Sequence, residues 1–283
     1  MRRFKLLLLA TVSALVLASC GGGYSGALPT KSSGVVLQPT NGNWVLDGSS
    51  AVSPTNLLHL SGAFYVRGSA PGAPTVLFVD LLPLSPCLPA MFPDILSSVS
   101  ATTNVITIHA VFGDTTLDAS LTGSSSTLLI GTYTVTGGCA NGDHGTLTAT
   151  YVPPVDGSWT GPITTLSGTP TGAQMTLNLT QSSSEFLGFF PLGGTAQITG
   201  STCLGTATVG SGIPEPLSPL MPGPAPLPST INGSSLAVYL TSGSNTAVLV
   251  GGLDAPNYNK TMHALISSSS CAELTGMAVL VKQ

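Results

Sequence analysis

The chain has 283 residues, a formal net charge of −4 and only 6% charged residues, against about 25% in a typical soluble domain. It contains 7 Lys and Arg against 11 Asp and Glu, and the basic segment 2–5 holds three of the basic residues. The remainder is therefore acidic and offers no basic patch for nucleic acid. Gly and Ser are abundant, and together these features are typical of exported β-rich proteins rather than nucleic-acid-binding ones.

The first residues form an export signal. The basic segment 2–5 precedes the apolar run Leu6 to Leu17, which is too short to span a bilayer as a helix. The run closes with Leu17-Ala18-Ser19-Cys20, which resembles the lipobox of bacterial lipoproteins, where a dedicated peptidase cuts before the cysteine. The resemblance implies that the signal peptide 1–19 is removed and that Cys20 carries the lipid. The alternative is an ordinary signal peptide whose cysteine is incidental.

Lipoproteins of this class carry two or three acyl chains such as palmitate, and each buried methylene contributes about 0.8 kcal/mol. The resemblance therefore implies stable attachment to a membrane through Cys20. Residues 20–39 are rich in Gly, Ser and Pro and are predicted to be a flexible, lipidated tether. Gly21 stands where many inner-membrane lipoproteins carry Asp, so the resemblance favours the outer membrane of a bacterial cell envelope.

The remainder of the chain has the pattern of a repeat. Trp44 and Trp159 each follow a Gly-x step, and each opens a similar series of apolar runs and cysteines. This pattern predicts two homologous domains, 40–153 and 154–283, and resembles duplicated all-β lipoproteins that have no assigned activity. The alternative is one large β domain. Gly-x-Trp also resembles the early motif of lipocalins, which implies a tryptophan at the floor of a barrel.

Four further cysteines follow the repeat, namely Cys87, Cys139, Cys203 and Cys271. Their spacings agree between the halves once a Pro-rich insertion, 213–228, is removed. An exported compartment is oxidising, so these cysteines are expected to pair. Four cysteines allow three connectivities. The duplication favours one disulfide in each domain, Cys87–Cys139 and Cys203–Cys271.

Alternating apolar and polar residues predict short antiparallel strands. The pattern is clearest in Val105 to Phe112, Thr116 to Leu121 and Met175 to Thr180, and Gly, Ser, Asn and Asp mark the turns. Only Pro89 to Ser98 has a residue pattern that resembles a helix. The predicted fold is all-β, with two tandem small antiparallel β-barrels of lipocalin-like or up-and-down type, or two β-sandwiches. A meander barrel is favoured because the runs follow one another closely.

Chemistry-bearing residues form no recognisable motif. The four histidines, His59, His109, His144 and His263, lack zinc spacing, and no G-x-S-x-G elbow or P-loop is present. The expectation is a non-enzymatic binding or structural lipoprotein without cofactor or metal. The first alternative is a carrier of a small apolar ligand inside the barrels. The second is a hydrolase that uses scattered carboxylates and histidines; the carboxylates considered are Asp114, Asp118, Asp143 and Asp156.

Overall fold

The computed structural model describes the main β-structure of the chain. The described residues are 41–52, 60–67, 75–83, 95–101, 105–183, 189–210 and 228–283. Within them the chain is all-β, as predicted, and the sole helical element is a short 3-10 helix, Ala272–Leu274. No helix in this part of the chain is long and apolar enough to cross a membrane.

Eight strands form the first sheet, an antiparallel meander in which the first strand pairs with the last. Its order is β3-β2-β1-β8-β7-β6-β5-β4. The sheet curls, so that Cα atoms of β3 and β4 at its two ends approach within 8 Å. The strands are β1 Gly42–Ser50, β2 Leu60–Arg67, β3 Thr75–Pro83, β4 Ile95–Ala101, β5 Val105–Phe112, β6 Thr115–Ser125, β7 Leu128–Thr136 and β8 His144–Val152.

The second sheet is a closed eight-stranded barrel with one additional short strand. Its order is β10-β9-β17-β16-β15-β14-β12-β11, and pairing of β10 with β11 closes the ring, while β13 pairs with both β11 and β14. Its strands are β9 Gly157–Thr164, β10 Pro170–Gln181, β11 Phe190–Thr199, β12 Thr206–Gly210, β13 Thr230–Asn232, β14 Ser235–Ser242, β15 Asn245–Leu253, β16 Thr261–Ser267 and β17 Gly276–Lys282.

The alternation of side chains explains why each sheet has one buried face. Along β6, Leu117, Ala119 and Leu121 are buried while Asp118 and Ser120 are exposed, because successive side chains of a strand point to opposite faces. Neighbouring strands repeat this pattern in register, so the inward residues of each sheet meet in one apolar cluster. Each cluster contains one tryptophan, Trp44 or Trp159, at 0% exposure.

The same connectivity recurs in both sheets. β1 pairs with β8, the last strand of the first sheet, and β9 pairs with β17, the last strand of the second. The change of sheet falls between Val152 and Gly157, next to the predicted boundary at 153/154. Both sheets lie within one compact unit, Val36–Gln283, and the origin of the two halves by duplication stays a prediction.

Two local expectations differ in outcome. The segment Pro89 to Ser98, which has a helix-like pattern, overlaps β4, Ile95–Ala101, and β4 is a strand paired with β5. Residues 89–94 lie outside the described part. Pairing with the neighbouring strand, Val105 to Phe112, determines the backbone conformation there, and local propensity does not. The meander barrel, favoured over a sandwich, is confirmed for the second sheet, whose closure removes both free edges.

Candidate functional site

Several predicted site residues lie outside the described part of the chain. These include the predicted lipidation residue Cys20, the tether up to residue 39, Cys87 and His59. The Pro-rich insertion 213–228 is described only at its last residue, Pro228, which opens the return into the second sheet. The lipid anchor and the outer-membrane location therefore stay predictions.

The second sheet contains the predicted disulfide between Cys203 and Cys271, with a Cα–Cα distance of 5.7 Å. Cys203 lies between β11 and β12, and Cys271 precedes the 3-10 helix before β17, so the bond joins two loops of the barrel. Cys139 is also disulfide-bonded. Because Cys87 lies outside the described residues, the pairing Cys87–Cys139 stays a prediction, and the expectation of one bond in each half is shown only for the second.

A carboxylate organises the loops around this bond. Ser201 Oγ donates to Glu273 Oε1 at 2.6 Å, and the backbone N–H of Thr202 donates to the same oxygen at 3.1 Å. The hydrogen bond from Ser201 lowers the pKa of Glu273, since it stabilises the charged form. Glu273 therefore holds the loop before β12 beside the loop before β17, and this is a structural arrangement.

The structure brings His109 and Asp118 together. They are directly opposite on β5 and β6, and His109 Nδ1 lies 2.6 Å from Asp118 Oδ1. Their side chains are 52% and 55% exposed, because both point away from the apolar cluster. Asp114 lies apart from this pair in the turn between the two strands, where its carboxylate accepts a hydrogen bond from Thr115 Oγ1. The three residues thus do not converge in one cleft.

A second His–Asp pair lies on the barrel. His263 Nε2 on β16 is 3.0 Å from Asp254 Oδ2 in the loop before that strand, and both side chains are nearly half exposed. His144 instead contacts the carbonyl oxygen of Gly142 through Nδ1. Asp156 accepts the backbone N–H of Gln181 at 2.6 Å. Histidines and carboxylates in these places are solvated or hold loops.

A polar cluster of Tyr133, Ser50 and Asp143 closes one end of the first sheet. Ser50 Oγ donates to Asp143 Oδ1 at 2.6 Å. The Tyr133 hydroxyl is buried without a hydrogen-bond partner, and its pKa rises to about 12, first through burial and then through the negative charge of Asp143. Its ring lies over Gly145, where a Cβ atom would come within 2.8 Å of Tyr133 Cε1.

The sequence alone does not predict this cluster, because Ser50, Tyr133 and Asp143 belong to three separate segments. Cross-strand register brings these segments together, because Gly145 is opposite both Tyr133 and Ser50. A glycine between an aromatic residue and a serine in neighbouring strands is the signal that could have found it, once the register was known.

The interior of the barrel is the candidate ligand cavity of the carrier hypothesis. Its inward residues pack in one apolar cluster and include Trp159, Leu177, Val238, Leu249 and Ile266 at 0–1% exposure. Trp159 Nε1 donates to the carbonyl of Val155 at 2.8 Å, and Lys282 Nζ lies 5.4 Å from its ring centroid at the same end. The tryptophan thus fills one end of the barrel, as an ordinary core residue also would.

Within the described residues outside β2, β3 and β4, the buried polar side chains are Asn43, Thr115 and Ser229, and none of them is charged. In the same part of the chain, no group of three or more His, Cys, Asp or Glu side chains could hold a metal ion. No protein-family model matches the chain, and the curated proteins contain no sequence that matches it.

Proposed function

We propose that the chain is an exported lipoprotein, attached through lipid on Cys20 to the outer membrane of a bacterial envelope, with a non-enzymatic binding or structural role. The observation that carries the proposal is the order of basic segment, apolar run and Leu17-Ala18-Ser19-Cys20. The fold supports the proposal because the histidine and aspartate side chains lie apart. His109 and Asp118 lie on the outer face of the first sheet, whereas Asp143 and Asp156 lie in loops.

Metabolic labelling with a fatty-acid analogue tests the anchor. The wild-type chain should carry the label in the membrane fraction, and Cys20→Ala should lose it. Cys203→Ala is the matched control, because it removes a thiol of the disulfide set and leaves the predicted lipidation residue in place. Equal labelling of wild type and Cys20→Ala would refute the proposal.

The finer architecture belongs to the same proposal. The two halves are two lipocalin-like or up-and-down barrels, each with one disulfide. Supporting this, Cys139 lies between β7 and β8 in the first sheet, and Cys271 lies between β16 and β17, the equivalent strands of the second. Likewise Cys87 falls between β3 and β4 in sequence, as Cys203 falls between β11 and β12. Non-reducing peptide mapping should find Cys87 linked to Cys139; any other partner for Cys139 contradicts the proposal.

A carrier of a small apolar ligand is the alternative function. The observation in its favour is the closed barrel with an apolar interior. An eight-stranded barrel has an interior that side chains alone can fill, so a ligand requires room beside Trp159 and its neighbours. Native mass spectrometry of the Cys20→Ala protein discriminates the two: a bound apolar compound supports a carrier, and a mass equal to that of the chain alone counts against it.

A hydrolase is the second alternative, and the short His109–Asp118 contact is the observation that favours it. Such a pair can orient and activate an imidazole as general base. The test is turnover of a panel of nitrophenyl esters and glycosides by wild type and His109→Ala. Activity lost in His109→Ala supports the hydrolase, whereas no turnover, or equal turnover in both proteins, contradicts it.

A further inference from the structure

The two sheets meet at one place, which we call the junction. Asn43 near the start of β1 is opposite Val152, the last residue of β8, and its side chain binds the backbone of Gly233 in the barrel. Lys282 Nζ at the end of β17 donates to the carbonyl of Pro154, in the segment that connects β8 to β9. The junction is therefore the end of the first sheet and the end of the barrel that contact each other.

The N-terminal segment enters the fold at the junction, because the described part of the chain begins at Asn41, beside Asn43. Residues 20–40 connect Cys20 to this point, and a flexible chain of this length has a root-mean-square span of about 25 Å. Strand β8 has nine residues and is about 30 Å long. A membrane that holds Cys20 therefore lies closer, on average, to the junction than to the opposite ends of the sheets.

The Lys and Arg residues of the described ranges, namely Arg67, Lys260 and Lys282, all lie at the junction. Arg67 follows Val66, which is opposite Gly42 at the start of β1. The backbone N–H of Lys282 donates to the carbonyl of Lys260 at 2.9 Å, so the two lysines are neighbours, and Lys260 is exposed. The basic residues of the described fold are thus concentrated where the N-terminal segment enters it.

The ends of the two sheets opposite the junction, which we call the far ends, carry carboxylates instead. In the first sheet, Asp114 lies in the turn between β5 and β6, and Asp143 lies just before β8. In the barrel, Glu273 lies in the 3-10 helix between β16 and β17, which follows Cys271 of the disulfide. Within the described ranges neither far end has a Lys or Arg residue, so the described charges there are negative.

Carboxylates are also present nearer the junction. Asp47 and Asp80 lie between the two ends, partway along β1 and β3. At the junction itself, Asp254 is paired with His263 at 3.0 Å, and Asp156 accepts a backbone N–H of β10 at 2.6 Å. The basic residues of the junction therefore offset its carboxylates, whereas no basic residue of the described ranges offsets those of the far ends. The charge of the fold is polarised along its strands.

We propose that the junction is the surface that lies against the membrane, on anionic phospholipid headgroups, with the disulfide end of the barrel directed away from the bilayer. The entry point of the N-terminal segment brings the junction near the membrane, and charge then selects the orientation. Lys and Arg are attracted to an anionic surface and carboxylates are repelled, over about 10 Å at ~0.1 M salt. The orientation rests on the proposed attachment through Cys20.

Energy transfer from two positions of the barrel tests the orientation. The mature chain, residues 20–283, is coupled through the Cys20 thiol to a maleimide phospholipid in vesicles of phosphatidylcholine and phosphatidylglycerol that contain a rhodamine-labelled lipid. Cys139, Cys203 and Cys271 are disulfide-bonded, and Cys87 is the predicted partner of Cys139, so Cys20 is the thiol that couples. A coumarin amino acid, the donor, replaces either an exposed junction residue, Asn257, or an exposed far-end residue, Ser244.

We expect several-fold more efficient transfer to the membrane from position 257 than from position 244. Equal transfer, or more efficient transfer from position 244, would overturn the orientation. In vesicles of phosphatidylcholine alone the difference should shrink, because only the tether then acts. A difference that is the same in both kinds of vesicle would overturn the role of anionic headgroups.

A charge reversal at the junction gives the second measurement. Lys260→Glu places a carboxylate at an exposed position of the junction, and the ratio of transfer from position 257 to transfer from position 244 should fall about threefold. Thr136→Glu is the matched control, because it adds the same carboxylate at the far end of β7, where the ratio should stay at or above that of wild type. Equal ratios in Lys260→Glu and wild type would contradict the proposal.

The vesicle experiment does not depend on lipidation in cells, because the coupling supplies the attachment. A chain that lies junction-down on vesicles but takes up no fatty-acid label in cells would overturn the anchor alone. A labelled chain with equal transfer from both positions would overturn the orientation alone.

Discussion

The side chain of Asn43 on β1 forms two hydrogen bonds with the backbone of Gly233 in the turn between β13 and β14. Asn43 Nδ2 donates to the carbonyl of Gly233, and the Gly233 N–H donates to Asn43 Oδ1, each at 2.7 Å. Asn43 is 2% exposed, so both bonds are shielded from water. The neighbouring outward residue Val45 packs against the cluster of the second sheet. Strand β1 therefore serves both sheets: Trp44 and Leu46 face the first cluster, and its other face meets the second.

Replacement of Asn43 tests this contact between the sheets. Asn43→Ala leaves the N–H and the C=O of Gly233 buried without partners, and leaving one such group unpaired costs about 1–3 kcal/mol. We expect the free energy of unfolding to fall by about 2 kcal/mol or more in urea titrations. Thr132→Ala, a change at an exposed strand position of the first sheet, is the control and should have a small effect. Equal stability of Asn43→Ala and wild type would show that the contact contributes nothing.

The Pro-rich insertion leaves and re-enters the barrel at one point. The Gly210 carbonyl accepts hydrogen bonds from the backbone N–H of Ser229 at 3.1 Å and from Ser229 Oγ at 2.6 Å. Ser229 Oγ in turn accepts the backbone N–H of Tyr239 on β14. Replacement of residues 211–227 by Asn-Gly should therefore leave the barrel intact, because the ends already meet. Thermal unfolding should change by only a few degrees.

The matched variant for that deletion is Ser229→Ala in the full chain. It removes the hydroxyl that joins Gly210 to Tyr239 and should lower the free energy of unfolding by about 1–2 kcal/mol. A deletion protein that fails to fold, beside a Ser229→Ala protein as stable as wild type, would place the stabilising contact within the insertion instead.

Gly145 has no room for a side chain. A Cβ atom there would lie 2.0 Å from the Ser49 carbonyl oxygen and 2.8 Å from Tyr133 Cε1. We expect Gly145→Ala to destabilise the chain by about 1–3 kcal/mol, the usual cost of overpacking, measured by urea unfolding. Gly205→Ala is the control, because a Cβ atom added to Gly205 would meet nothing within 4 Å. Similar losses in the two variants would refute the close packing of Tyr133 on Gly145.

The raised pKa of Tyr133 predicts a loss of stability in alkali. An unfolded tyrosine has a pKa of about 10, and in the folded chain the pKa of Tyr133 rises to about 12. Between these values the unfolded state binds fewer protons, so the free energy of unfolding falls as the pH rises. Below about pH 10 this contribution is fully present.

Tyr133→Phe should therefore weaken the pH dependence of unfolding between about pH 10 and 12. At neutral pH the variant should be at least as stable as wild type, because it removes a buried hydroxyl that has no hydrogen-bond partner. Tyr151→Phe serves as the comparison, since burial raises the pKa of Tyr151 as well. An unchanged pH slope in Tyr133→Phe would contradict the assignment.

Strand content and the cysteine pairing of the second half could be predicted from the amino-acid order. Alternation in Thr116 to Leu121 and Met175 to Thr180 predicted which residues are buried, because side-chain direction in a strand follows a period of two. The spacing of the repeat selected Cys203–Cys271 from three connectivities. Both properties follow from position along the chain.

The neighbours of each strand, and the residues that meet across the sheets, could be found only in the folded chain. Ser50, Tyr133 and Asp143, or Asn43 and Gly233, are far apart in sequence, and no local pattern distinguishes them from other turn and strand residues. Closure of the second barrel likewise depends on the pairing of β10 with β11 and of β9 with β17. Register and closure are cooperative properties of all the ladders together, and for that reason these contacts are visible only in three dimensions.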